Sequence, residues 1–193
     1  MRTRTTVTMA TILGLTAVLS LAPALSTQGA MTGLKAQADQ FSKKDFQFVK
    51  AAARGGMMEV ELGKIAQQKG GIPAVQDFGK RMVTDHGQAN AELKQLAENK
   101  GAILPGMLSR KERRQVQHLE GLSPVKFDRA YAKDMVRDHN HDIKAFERAA
   151  KRVKDPDLRA FAAKTIPILR EHLRLAQEME ASVNSGTWNS AGK

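Results

Sequence analysis

FGKRMVTDH at residues 78–86 and YAKDMVRDH at residues 131–139 place an aromatic, a Lys, Met-Val and Asp-His in the same register, 53 residues apart in a chain of 193. Around the first copy, Val75, Phe78, Met82, Ala89, Leu93 and Leu96 recur at three- and four-residue spacing, which predicts an amphipathic helix from about Pro73 to Asn99. Around the second, Phe127, Tyr131, Met135, Ala145, Phe146 and Ala149 predict another, opened by Ser123-Pro124 as cap and first-turn proline and reaching about Val153. Two more long helices flank these. Ser42 caps one that runs to about Gln68, where Gly70, Gly71 and Pro73 stop it. Asp155-Pro156 opens the last, which carries Leu158, Phe161, Thr165, Ile168, Leu169, Leu175 and Met179 to about Val183. In the middle, GAILPG breaks the chain, and Ser109 with Glu112 forms a capping box for a short basic segment reaching about His118. No segment alternates with period two. The expected fold is therefore all-α, a four-helix bundle with a short extra helical segment in its central crossover. The offset of 53 pairs the second long helix with the third, so it is not the duplication of one hairpin.

The ends read differently from the middle. Arg2 and Arg4 precede an apolar run from about Met9 to Leu21, followed by Ala22-Pro23-Ala24 and a polar stretch. A basic start, a short apolar run and small residues make a secretory signal peptide with a leader over residues 1–30, cut near Ala24 or Ala30. The competing reading is an uncleaved anchor, against which Thr11, Gly14, Thr16 and Ser20 interrupt the run. The bundle domain is expected over residues 31–181 and a polar tail over 182–193. With no cysteine, disulfides, thiolate metal sites, Cys nucleophiles and lipidation of an N-terminal Cys are excluded, and stability must come from packing. The formal charge of +11 suits attraction to phosphate, anionic lipid or acidic polymers, anionic envelope components among them, but charge alone names no partner. No nucleic-acid motif accompanies it: Arg110, Lys111, Arg113 and Arg114 have no interleaved aromatics. Ser-His-Asp order, a nucleotide loop and H-E-x-x-H are also missing, so nothing marks a hydrolase.

Helical phase shows where the polar residues face. At about 100° per residue, the stripe through Phe78, Met82, Ala89 and Leu93 passes between Asp85 and His86. On the third long helix Asp138 and His139 flank the stripe, and Asp142 lies near its centre. Glu59 falls with Phe48, Ala52, Leu62 and Ala66 in the apolar face of the first helix, whereas Glu61 points outward. On the last helix His172 aligns with Phe161, Thr165, Ile168 and Met179, with Pro167 expected to kink the helix and free a carbonyl. Each long helix thus turns a polar group inward. Two readings fit this arrangement: a transition-metal site for iron, manganese, zinc or copper, or a polar network that fixes the packing. Small residues at Gly55, Gly56 and Gly63 read as close helix packing, and Met57, Met58, Met82 and Met135 as core filler.

EVELGKIAQQK, FGKRMVTDH, FDRAYAKDMVRDH and DPDLRAFAAKTIPILREHLRLAQ together resemble a bacterial exported family catalogued as domain of unknown function 4142, over about Phe41 to Met179. The resemblance implies a ferritin-like bundle exported to the periplasm or cell envelope, with no established reaction. Its pattern falls on Glu59, Asp85, His86, Asp138, His139, Pro167 and His172. Ferritin-like oxidases use Glu-x-x-His on two helices. Here the residues three before His86, His139 and His172 are Val83, Val136 and Leu169, which disfavours a di-iron oxidase. In the metal reading the three histidines are neutral ligands, Glu59 supplies anionic oxygen, and Asp85 and Asp138 ligate or orient imidazoles.

Overall fold

A computed structural model describes residues 41–185; the proposed signal peptide and leader, and the tail beyond Ser185, lie outside the described residues. Among these residues there are five helices and no strands: α1 (Lys43–Lys69), α2 (Pro73–Asn99), α3 (Arg110–Glu120), α4 (Pro124–Arg152) and α5 (Pro156–Asn184). No described helix is long and apolar enough to cross a membrane.

The boundaries follow local chemistry. Ser42 Oγ accepts the Asp45 N–H at 3.1 Å, and Ser109 with Glu112 closes a reciprocal capping box on α3. Asp155 Oδ1 accepts the Leu158 N–H at 2.9 Å at the start of α5. Ser123 stands at the N-cap of α4 without a side-chain capping bond, so Pro124, with its fixed φ, sets that start. Gly101 ends α2 at φ 69°, a left-handed conformation glycine adopts without the Cβ penalty. Pro167 lies inside a helix that continues on both sides of it; its missing N–H leaves the Ala163 carbonyl without a helical donor.

The long helices form two hairpins, α1 with α2 and α4 with α5. α2 also packs on α5 and α1 on α4, with α3 laid across α1 and α4. The two Asp-His helices, α2 and α4, therefore face each other on a diagonal. A different offset, 83 residues, relates the hairpins: Asp45 to Asp128, Glu59 to Asp142, Pro73 to Pro156 and Phe78 to Phe161. The correspondence is physical. Buried Asp45 accepts the Lys154 N–H in the α4–α5 link at 3.2 Å, and buried Asp128 accepts the Gly71 N–H in the α1–α2 link at 3.0 Å. Gly71 and Lys154 are themselves 83 residues apart, so each hairpin clasps the other's turn by the same bond.

Two apolar clusters fill the interior. One gathers Leu62, Phe78, Met82, Phe127, Tyr131, Met135 and Met179. The other gathers Val49, Leu93, Phe146, Phe161 and Leu169. Along α2, α4 and α5 the chain passes from one cluster to the other around a buried polar residue, His86, His139 and His172, and on α1 Glu59 directly follows Met58, where the first cluster begins. The polar layer is mid-core. Met58, Met82 and Met135 belong to the first cluster and act as filler.

Candidate metal centre

Each long helix supplies one side chain to this layer, and all four are nearly inaccessible: Glu59 1%, His86 8%, His139 0% and His172 1% exposed. The imidazoles stack edge-on or tilted, with centroids 5.3 to 5.7 Å apart. One nitrogen from each of His86, His139 and His172 lies within 4.8 Å of the other two.

The second nitrogen of every ring is held. His139 Nδ1 lies 2.9 Å from the Met135 carbonyl oxygen, and since a carbonyl only accepts, Nδ1 carries the proton and Nε2 the lone pair. His172 Nε2 donates to Asp85 Oδ2 at 2.8 Å, leaving Nδ1 with its lone pair. His86 Nδ1 lies 3.0 Å from Glu59 Oε2 and donates to it when that group is ionised, which leaves Nε2 free. His86 Nε2, His139 Nε2 and His172 Nδ1 are all buried without a hydrogen-bond partner. With Glu59 ionised, all three of these atoms carry lone pairs, each on a ring held at its other nitrogen. Glu59 Oε1 also has no hydrogen-bond donor and stands 3.8 Å from His139 Nε2.

Electrostatics favours the neutral imidazoles that bind metals. Burial, then the neighbouring His139 and His172, holds His86 well below the ordinary imidazole value. Burial and His172 bring His139 down to about 4. Burial lowers His172 as well, opposed by its bond to Asp85. Glu59 moves the other way, its carboxyl raised well above the usual range by burial and then by Asp142 and Asp138. Burial pushes Asp142 up to about 6.

These shifts carry a pH prediction. Unfolded imidazoles titrate near 6.5, so below that pH the unfolded chain takes up protons that the folded one refuses. The contribution of His139 is complete above pH 6.5 and is lost as pH falls toward 4, about 3 kcal/mol in all. His86 and His172 act with it; Asp142 opposes them as pH falls through 6, and Glu59 opposes them too, because the folded chain takes up the protons of both carboxyls before the unfolded chain does. In urea unfolding of the metal-free protein, the change from pH 7 to pH 6 is expected to favour the folded state less in the parent than in His139→Gln, which lacks the lowered imidazole. The same change in parent and variant would contradict the His139 environment.

The sequence-predicted site residues divide. Glu59, His86, His139 and His172 come together. Asp85 stands behind His172 and also lies 3.7 Å from Arg81, so it orients an imidazole. Asp138 does not reach the imidazole nitrogens; its Oδ1 accepts from Arg137 Nε at 3.1 Å, while Oδ2 is buried without a partner. The repeated Asp-His therefore converges only in its imidazoles. Asp138 and Asp142 line a cavity of about 410 Å³ whose wall also includes Glu59, His86, Gly55 and Gly56. Phase had placed Asp142 inward, but not in the same cavity as Glu59. The Tyr131 hydroxyl, buried and without a partner, read in sequence only as part of an apolar stripe. Burial raises its pKa, with Glu59 adding to the effect.

The family model for a domain of unknown function, DUF4142, matches residues 30–179, and the chain belongs to that family. No curated protein matches the chain. A crystal structure of a DUF305 fragment from Deinococcus radiodurans is similar, with a TM-score of 0.63 and 14% identity over 75% of this chain and 98% of that one. At that identity the likeness concerns the helical fold alone.

Proposed function

We propose that this DUF4142 protein binds one divalent transition-metal ion in the core of a ferritin-like four-helix bundle, with His86, His139 and His172 as nitrogen ligands and Glu59 as anionic oxygen. The observation that carries this reading is the approach of three buried imidazoles, one nitrogen of each within 4.8 Å of the others, each ring anchored at one nitrogen and carrying its second without a partner. In a network serving packing alone, those nitrogens would be expected to find donors, because an unpartnered buried acceptor costs about 1–3 kcal/mol. Neutral imidazoles with one carboxylate suit iron, zinc or copper, and manganese less well, while magnesium and calcium prefer all-oxygen sites. Asp85 and the Met135 carbonyl hold His172 and His139 in the ligating tautomer. Three nitrogens and one oxygen leave room for a further ligand on an octahedral metal, and such a metal would supply Lewis-acid or redox chemistry.

The basic start and short apolar run of the first residues support export to the periplasm or cell envelope. There the exposed Arg110, Lys111, Arg113 and Arg114 of α3 would face anionic envelope material.

Mass spectrometry of untagged protein, purified without chelator, is expected to find close to one metal ion per chain. His86→Ala, His139→Ala and His172→Ala combined are expected to leave none in a chain still helical by circular dichroism. A metal-free parent that stays so after incubation with iron, manganese, zinc and copper would overturn the reading.

A further inference from the structure

We propose that α3 and the crossover leading into it form a docking surface for an anionic phospholipid bilayer, with Ile103 and Met107 entering the acyl boundary and Arg110, Lys111, Arg113 and Arg114 lying against the headgroups. The proposal rests on and deepens the reading of α3 as facing anionic envelope material, and it stands apart from the metal site. Ile103 is 88% exposed and Met107 72%, the most exposed large hydrophobic side chains among the described residues. Their neighbours are anchored: Leu104 packs on the second apolar cluster and Leu108 is buried in the first. The crossover is thus held to the bundle while Ile103 and Met107 stay outside it. Single exposed apolar residues are ordinary, but two on one short crossover beside a basic helix make the pattern of an interfacial membrane segment.

Charge is the second observation. From Gly101 to Leu119 the sequence holds four Lys or Arg and one acid. That acid, Glu112, is turned back into the α3 capping box, where its carboxylate accepts the Ser109 N–H at 2.6 Å. All four bases are exposed, and none makes an ion pair among the described residues. Arg113 Nη1 donates to the Leu108 carbonyl at 2.5 Å, which ties the helix to the residue after Met107. Met107 precedes Arg110 by three residues, so their Cα atoms are at most about 11 Å apart and the apolar tip is contiguous with the cationic helix. Exposed Lys133 of α4 extends the positive field along the groove it shares with Lys111, whose carboxylates Asp134 and Asp138 are both paired with Arg137. A soluble polyanion would be met by the bases alone. The exposed Ile and Met select a bilayer, whose headgroups take the charge while its acyl boundary takes the apolar tip.

The test uses the protein as processed by the cell that makes it, cosedimented with vesicles of phosphatidylcholine with and without about one third phosphatidylglycerol, in low and high salt. The parent is expected to sediment with the anionic vesicles only, and less in high salt. I103S/M107S should lose vesicle affinity by at least about tenfold yet keep its retention on a heparin column, whereas R110Q/R114Q should lose both by at least about tenfold. All four positions are exposed, and circular dichroism checks that the variants fold; Met107→Ser and Arg114→Gln serve singly where a double variant does not. Vesicle binding that I103S/M107S leaves unchanged, or heparin retention without vesicle binding, overturns bilayer docking and leaves the anionic-envelope reading standing. Binding to neither overturns both. A parent that binds no vesicle but self-associates through Ile103 and Met107 assigns the patch to a second copy and overturns the proposal as well.

Discussion

Zinc at a thousandfold excess over its dissociation constant is expected to stabilise the parent by about 4 kcal/mol against urea, and His139→Ala by almost nothing. The argument is linkage: the folded state gathers three imidazoles that an unfolded chain keeps apart, so an ion bound to all three raises the cost of unfolding. His139 is the most deeply buried of the three, and its Nε2 stands 3.8 Å from Glu59 Oε1. Its loss removes one ligand and leaves Glu59 facing a void. Comparing each variant with and without zinc separates ligation from any change in metal-free packing. Glu61→Ala, on the exposed side of α1, should keep the full increment. An equal zinc effect in the parent and in His139→Ala would place the ion elsewhere.

Gly79→Ala is expected to cost about 3 kcal/mol, at the upper end of overpacking effects, while Gly55→Ala stabilises by about 0.5–1 kcal/mol. Both lie inside helices, where alanine is intrinsically favoured, so the contrast isolates the helix crossing. A Cβ at Gly79 would fall 2.6 Å from the Gly63 carbonyl oxygen and 2.8 Å from Ala66 Cβ; one at Gly63 would fall 2.7 Å from the Gly79 carbonyl oxygen. Backbone atoms cannot turn aside as a side-chain tip can, so α1 and α2 must separate. That separation also moves Glu59 from His86, seven residues beyond Gly79, and zinc affinity should fall with stability. Urea unfolding followed by circular dichroism reads the first effect and zinc titration the second. Equal stability changes in the two glycine variants would contradict the crossing.

Much of this arrangement was legible in the sequence because helical phase is a local property. The register of Phe78, Met82 and Leu93 turned His86 inward, the register of Phe127 and Tyr131 did the same for His139, and Glu59 stood out as a carboxylate within an apolar face. Helix starts at Ser42, Ser109 and Asp155 were legible from their caps, whereas Ser123 has the sequence of a cap without its bond. Phase could not show which helices are neighbours. That α2 and α4 lie on a diagonal, so that two identical-looking Asp-His pairs give their carboxylates different work, is decided by tertiary packing. The reciprocal clasps of Asp45 and Asp128 were hidden for a related reason. Their partners are backbone N–H groups, which have no signature in sequence, although the offset of 83 linking Glu59 to Asp142 and Pro73 to Pro156 was there to be found. Gly63 fitted its reading as a close-packing position, while Gly55 borders open space.

The most direct measurement of the central claim is X-ray absorption at the zinc edge on the loaded, untagged protein. Three nitrogen scatterers at about 2.0–2.1 Å with the outer-shell pattern of imidazole, plus one oxygen, are predicted, and the imidazole pattern should weaken in His172→Ala. A spectrum of oxygen scatterers alone, or one unchanged in that variant, would mean that the three histidines do not hold the metal.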